Sequence, residues 1–203
     1  MSVDLKHTIV VIPGLNDFGF FSSRGIRFAL LRLRMSQQFE IVMHPVGCLD
    51  GEPFAPKLDR LVKHIQQVSQ KNTVSLIGTS AGGSAAFNAL MATPQSIHKA
   101  VNVCGRLRKG NHLRLTLEHA ATSSTAFRES VELFERQEPS MPPHLRQRCL
   151  TIKPRFGDEV VPGDTVALTG AHNHFVNAGE HLLSIYLSLM FPKTIMQFLL
   201  TTA

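Results

Sequence analysis

The chain is 203 residues long, 43% hydrophobic and 18% charged, with 21 basic side chains against 15 acidic for a net charge of +6. This composition excludes a disordered tail and a coiled coil, and the length allows one core that buries roughly 70% of the unfolded surface. Three cysteines, Cys48, Cys104 and Cys149, are too few and too scattered for a disulfide framework or a cysteine zinc site.

Thr8–Ile12 is a β-branched run closed by Pro13 and Gly14, apolar on both faces like a strand inside a parallel sheet. Apolar residues at helical spacing predict a helix over about 22–35, with Arg24, Arg27, Arg32 and Arg34 between them. Phe39–His44 reads as a second strand, and Phe54–Ser69 as a helix with Leu58, Leu61, Val62, Ile65 and Val68 on one stripe. Thr73–Ile77 is a third strand, followed by an alanine-rich helix over about 81–91, and Lys99–Val103 is a fourth. The segment 105–147 breaks the rhythm. It predicts helices around 112–121 and 124–136, the second with Phe127, Val131 and Phe134 on one face, and is the candidate short cap. Leu150–Lys153 and His172–Asn177 are a fifth and a sixth strand, and 180–200 closes the chain as a helix that Pro192 can kink. Strands alternating with helices of this length predict βα units, a mostly parallel sheet and a single domain over 1–203.

Several other functions fit poorly. The basic residues are spread along the chain, only Arg106, Arg108, Lys109 and Arg114 bunch, and one Tyr without Trp offers no base-stacking platform, so nucleic-acid binding is not expected. Leu182–Leu200 is apolar and nearly long enough to cross a bilayer, but Pro192, Lys193, Gln197 and two serines interrupt it, as in a buried helix. The opening residues hold no apolar core of a secretory signal, and a reduced, cytoplasmic setting is the expectation.

In an open parallel sheet, ligands gather beyond the carboxyl ends of the strands. After the third predicted strand stands Gly78-Thr79-Ser80-Ala81-Gly82, a G-x-S-x-G pattern that chance alone gives in roughly one chain of this length in fifteen. Its place between an apolar strand and a helix is what a nucleophile elbow requires: serine at a sharp, strained turn, with glycines where side chains would collide. A glycine-rich turn that merely packs helix on strand is the alternative. Serine chemistry needs a base oriented by a carboxylate. Carboxylates follow the fifth strand in Phe156–Pro162, and a histidine follows the sixth in Ala178–His181, so the order is serine, acid, histidine.

Through Val11–Gly14, Ser75–Gly83, Gly157–Pro162 and Val176–His181, the sequence resembles a small α/β-hydrolase of the esterase/lipase superfamily, from about His7 to the C-terminus. The resemblance implies an α/β-hydrolase fold: a minimal, mostly parallel sheet of about six strands with helices on both faces. It also implies site residues. His181, past the last strand and 23 positions after Asp158, takes the place of the base; His174 is second, and a metal pair of His172 and His174 lacks a third ligand. Asp158 takes the place of the acid, ahead of Glu159 and Asp164, against an ordinary loop-capping carboxylate. The backbone N–H groups of Leu15 and Ala81 would form the oxyanion hole, although Pro13 and Gly14 also make an ordinary turn.

The chemistry expected is hydrolysis of a carboxylic ester of a small molecule or lipid through an acyl-enzyme, without metal or organic cofactor. Thioester or amide hydrolysis and acyl transfer use the same triad, and a non-catalytic binding protein can retain the fold. For specificity, the basic start of 105–147 is either an anion-binding edge or a solvated loop. Phe18, Phe20 and Phe21 either line an acyl pocket or belong to the core.

Overall fold

The computed structural model describes residues 7–15, 20–36, 38–112 and 115–201, with no side chains described for 20–24. Its elements in chain order are β1 His7–Ile12, α1 Phe20–Ala29, α2 Leu31–Met35, β2 Phe39–Met43, α3 Phe54–Ser69, β3 Thr73–Thr79, α4 Gly82–Ala92 and β4 Lys99–Val103. They continue with α5 Leu117–Ala120, α6 Thr125–Gln137, α7 Pro143–Arg146, β5 Cys149–Pro154, β6 His172–Val176, α8 His181–Met190 and α9 Lys193–Leu200. The strands form one sheet in the order β2-β1-β3-β4-β5-β6, and each adjacent pair is parallel.

The alternation of side chains along a strand divides the core in two. In β1, Val10 and Ile12 belong to the layer formed with α3, α4 and α6, whereas Ile9 and Val11 face α1, α2, α8 and α9. All four are fully buried, each contributing roughly 1.5–3 kcal/mol of apolar transfer. Such two-sided burial accounts for the continuous β-branched run, and it leaves helices on both faces. Helix α4 is buried on nearly every side between the sheet and α6, which is why its first eight positions are glycine, serine, alanine, phenylalanine and asparagine, with no charge among them.

Three predicted helices differ in extent by more than a residue. The helix predicted over 22–35 is two, α1 and α2, parted at Leu30, whose backbone (φ −79°, ψ −2°) opens a single turn while Arg34 still donates to its carbonyl. The helix predicted over 112–121 shrinks to Leu117–Ala120, capped by Thr116, whose side chain accepts from the N–H of His119. The last helix is broken: α8 and α9 meet at 58° across Phe191 and Pro192. Proline supplies no N–H, so the ladder stops at the bond from Phe191 N to Leu187 O and resumes with Met196 N donating to Pro192 O. Among the described residues no single helix is long and apolar enough to cross a membrane; only this bent pair has the length and composition.

The segment 105–147 is built into the helix layer. Phe127, Val131 and Phe134 are buried, and α6 packs against α3 and α4. Of its basic start, Arg106 and Arg108 are engaged within the fold, whereas Lys109 is exposed. Arg106 is 0% exposed and donates to the carbonyls of Arg108 and Lys109. Arg108 forks onto Glu138 at 2.7 and 2.6 Å and donates to Ala167 O, and Lys109 pairs with Glu118 at 2.6 Å. The Arg108 guanidinium ties the segment to the loop before β6. Arg114 lies outside the described residues.

Candidate active site

Three strand ends meet at the carboxyl edge of the sheet. Ser80 follows β3 directly, Asp158 lies four residues past β5, and His181 is the first residue of α8, just beyond β6.

The local sequence at Ser80 explains its posture. Ser80 has φ +50°, in the left-handed region that costs a non-glycine residue about 1–3 kcal/mol. Surrounding contacts hold it there. A Cβ on Gly78 would lie 2.3 Å from Gly82 O, and one on Gly82 would lie 2.1 Å from Ile12 O and 2.5 Å from Pro13 O. Glycine at both positions lets the turn close against the end of β1. A second support, which has no separate signal in the sequence, comes from β4. Ser80 N donates to Val103 O, and the Asn102 side chain brackets Gly105, accepting from its N–H and donating to its carbonyl. A Cβ on Gly83 would come within 1.9 Å of Asn102 Oδ1, so Gly83 and Gly105 admit the amide that buttresses the elbow.

His181 Nε2 lies 3.0 Å from Ser80 Oγ, and His181 Nδ1 lies 2.8 Å from Asp158 Oδ2. The Asp158 side chain is 1% exposed and that of His181 8%. The other Asp158 oxygen, Oδ1, accepts from the backbone N–H groups of Val160 and Val161 at 2.9 and 2.8 Å. The carboxylate is therefore fixed from one side by the loop and offers its free oxygen to the imidazole, which selects the Nδ1–H tautomer and leaves Nε2 to accept from the serine hydroxyl.

The competing residues are engaged elsewhere. The Glu159 carboxylate accepts from the backbone N–H of His181 at 3.0 and 3.2 Å, and Asp164 pairs with His112 at 2.7 Å. His174 faces Thr194 of α9, and the His172 ring packs edge-on against Phe198. Glu180 caps α8, and the N–H groups of Leu183 and Leu182 hold its carboxyl below the usual carboxylate range. Cys104, at the tip of β4, is buried, and burial, with Asp158, Glu159 and Glu180 nearby, pushes its thiol well up. No thiolate competes with Ser80 there.

A cavity of about 140 Å³ opens onto Ser80 and His181, lined also by Gly14, Leu15, Ile26, Leu182, Ile185 and Tyr186. Its apolar wall thus comes from α1 and α8, which periodicity did not single out. Of the aromatic residues expected to line it, Phe18 lies outside the described residues, as do the side chains of Phe20 and Phe21. At Gly14 an added Cβ would stand 3.0 Å from Ser80 Cβ and 3.5 Å from Oγ. The loop after β1 therefore passes against the elbow, with Leu15 at the cavity wall and Ala81 following Ser80. A larger groove of about 850 Å³ lies between α2 and α9 and includes none of these residues.

Solved structures share this fold over most of the chain. A metagenome-derived lipolytic enzyme superposes with a TM-score of 0.67 at 13% identity, covering 98% of this chain and 95% of that one. The fold is that of the α/β-hydrolases. Other α/β-hydrolases that match are a monoacylglycerol lipase of Paleococcus ferrophilus (TM-score 0.60, 13% identity, 95% and 93% coverage) and the thioesterase domain of the curacin biosynthetic pathway (0.60, 12%, 98% and 92%). No protein-family model matches the chain, and no curated protein matches it in sequence.

Proposed function

We propose that the protein is a serine hydrolase that cleaves a carboxylic ester, with Ser80 as nucleophile, His181 as general base and Asp158 as the carboxylate that orients it. The observation that carries this reading is the unbroken relay from Asp158 Oδ2 through both ring nitrogens of His181 to Ser80 Oγ, at 2.8 and 3.0 Å. Lipolytic enzymes and a thioesterase domain among the similar structures agree with this class of chemistry.

His181 Nε2 takes the hydroxyl proton as Ser80 Oγ attacks the acyl carbon, and Asp158 stabilises the imidazolium that results. The backbone N–H groups of Leu15 and Ala81 receive the oxyanion; one such donor is worth about 3 kcal/mol of transition-state stabilisation. The carbonyl re-forms as the ester C–O bond breaks, and the alcohol leaves with the proton from Nε2. Water then attacks the acyl-serine, with Nε2 again as base, and the carboxylic acid departs. The 140 Å³ cavity would take the acyl group. A space of this size holds a benzene-sized group, about six carbons, so a short acyl chain fits. Cys104 and Cys149 are buried thiols outside any disulfide, which suits a reducing, cytoplasmic setting.

The test is Ser80→Ala. Turnover of p-nitrophenyl acetate is expected to vanish in this variant while its circular dichroism is unchanged. Turnover that persists puts the reactive centre elsewhere.

A further inference from the structure

We propose that the face formed by α1–α2 and α8–α9 docks on an anionic lipid bilayer surface. This surface needs no part of the catalytic reading. Met35 is 77% exposed, Phe28 66% and Phe191 58%, with Leu31 and Leu200 also exposed. Met35, Phe191, Met196 and Leu200 line the 850 Å³ groove between α2 and α9.

Charge decides which occupant this apolar face suits. Residues 20–36 and 181–201 contain no Asp or Glu, but they do contain Arg24, Arg27, Arg32, Arg34 and Lys193. Arg27, Arg32, Arg34 and Lys193 are exposed, Arg32 and Lys193 lie on the groove itself, and the Arg32 guanidinium sits 5.1 Å over the Phe191 ring. Long cationic side chains that lay their stems on apolar surface and carry their charge at the rim fit headgroup phosphates above and acyl chains beneath. A second copy of the chain fits badly: a two-fold contact through this patch would set its arginines against the same arginines with no carboxylate between them. The helices lie on the surface and do not cross it. Ile185, Leu189, Ile195 and Leu199 of the bent pair are buried against the sheet, so only the outer side is free to enter the interface.

The test is co-sedimentation of the full chain with vesicles of phosphatidylglycerol and of phosphatidylcholine. The anionic vesicles should bind the chain at least about tenfold better, and raising the salt to about 0.5 M should release it. Met35→Glu with Phe191→Glu, both at exposed positions, should cut that binding by about tenfold or more with an unchanged melting temperature. Arg32→Gln with Lys193→Gln, which leaves Met35, Phe191, Met196 and Leu200 in place, should weaken it as well and remove part of the salt dependence. Equal sedimentation with both lipids, no sedimentation with either, or variants that bind like the parent overturn the proposal. So does a dimer in sedimentation velocity that the Met35→Glu, Phe191→Glu pair dissociates.

Discussion

Asp158→Asn isolates the step on which the proposed chemistry depends, because it changes one atom of a side chain whose surroundings are fully specified. Oδ1 of Asp158 accepts from two backbone N–H groups, Val160 and Val161, and Oδ2 faces His181 Nδ1. An asparagine here has one acceptor oxygen and one donor NH2. The two backbone donors demand the oxygen, since turning the NH2 toward them would set donor against donor twice and leave two N–H groups unpaired. The amide NH2 therefore faces Nδ1, which must become the acceptor, and the ring proton moves to Nε2. At 3.0 Å from Ser80 Oγ, a protonated Nε2 is a donor toward the hydroxyl and cannot take its proton. The loss expected for a wrong tautomer is roughly 10⁴-fold in kcat, or about 5.5 kcal/mol of barrier at about 1.4 kcal/mol per tenfold. Stability should barely change, because the side-chain volume and both loop hydrogen bonds are retained. Steady-state hydrolysis of p-nitrophenyl acetate reads the rate, and circular dichroism reads the fold. A well-folded Asp158→Asn protein that retains more than a tenth of the parent rate refutes the assigned role of this carboxylate.

Other consequences are equally open to measurement. Gly82→Ala places a Cβ 2.1 Å from the backbone carbonyl of Ile12, which cannot swing aside as a side chain would. A loss of about 3 kcal/mol, or ~6–12 °C in melting temperature, is expected by calorimetry along with loss of turnover, and a melting point within 2 °C or so of the parent contradicts the close packing. On p-nitrophenyl esters of increasing length, kcat/KM should fall beyond about six acyl carbons, and Ile26→Ala, which widens the α1 wall of the cavity, should move the limit upward. Unaltered length preference in that variant would mean that the acyl group lies elsewhere. Stability should also depend on pH. Burial, then His98 and Lys99, lowers His7 to about 4, and burial, then His64 and Arg60, lowers His44 to about 4. Between about pH 6.5 and 4 the unfolded chain binds protons on these rings that the folded chain refuses, so stability drops as the pH falls through that window. After solvent screening of these partly exposed rings, each contributes about 1 kcal/mol. In denaturant melts the parent should lose about 1 kcal/mol across that window that His44→Gln does not lose; parallel curves would exclude the effect.

What the sequence disclosed follows from how local each constraint is. The run at Thr8–Ile12 and the G-x-S-x-G turn carry their physics within a few residues, and both stand where they were read, β1 beginning one residue earlier. His181 stands beyond a strand end, where the proposed base would have to lie, and His174 is inside β6. Long-range pairings left no such trace. Arg108 meets Glu138 and Ala167, 30 and 59 residues away, so a half-buried clamp looked like a basic surface. The break at Leu30 has no glycine or proline to announce it, unlike the one at Pro192. The cavity wall escaped for a related reason: Ile26 and Tyr186 come together only because α1 packs on α8. At Gly25 an added Cβ would come within 2.3 Å of the Tyr186 hydroxyl oxygen.

The most direct measurement is peptide mapping of the intact protein after reaction with a fluorophosphonate that traps activated hydroxyl groups. One phosphonyl group is predicted, on Ser80 alone, with labelling abolished by prior loss of the His181 imidazole in His181→Ala. An unmodified Ser80 in fully folded protein, or a label that forms equally well without His181, would contradict the claim that this hydroxyl is the nucleophile.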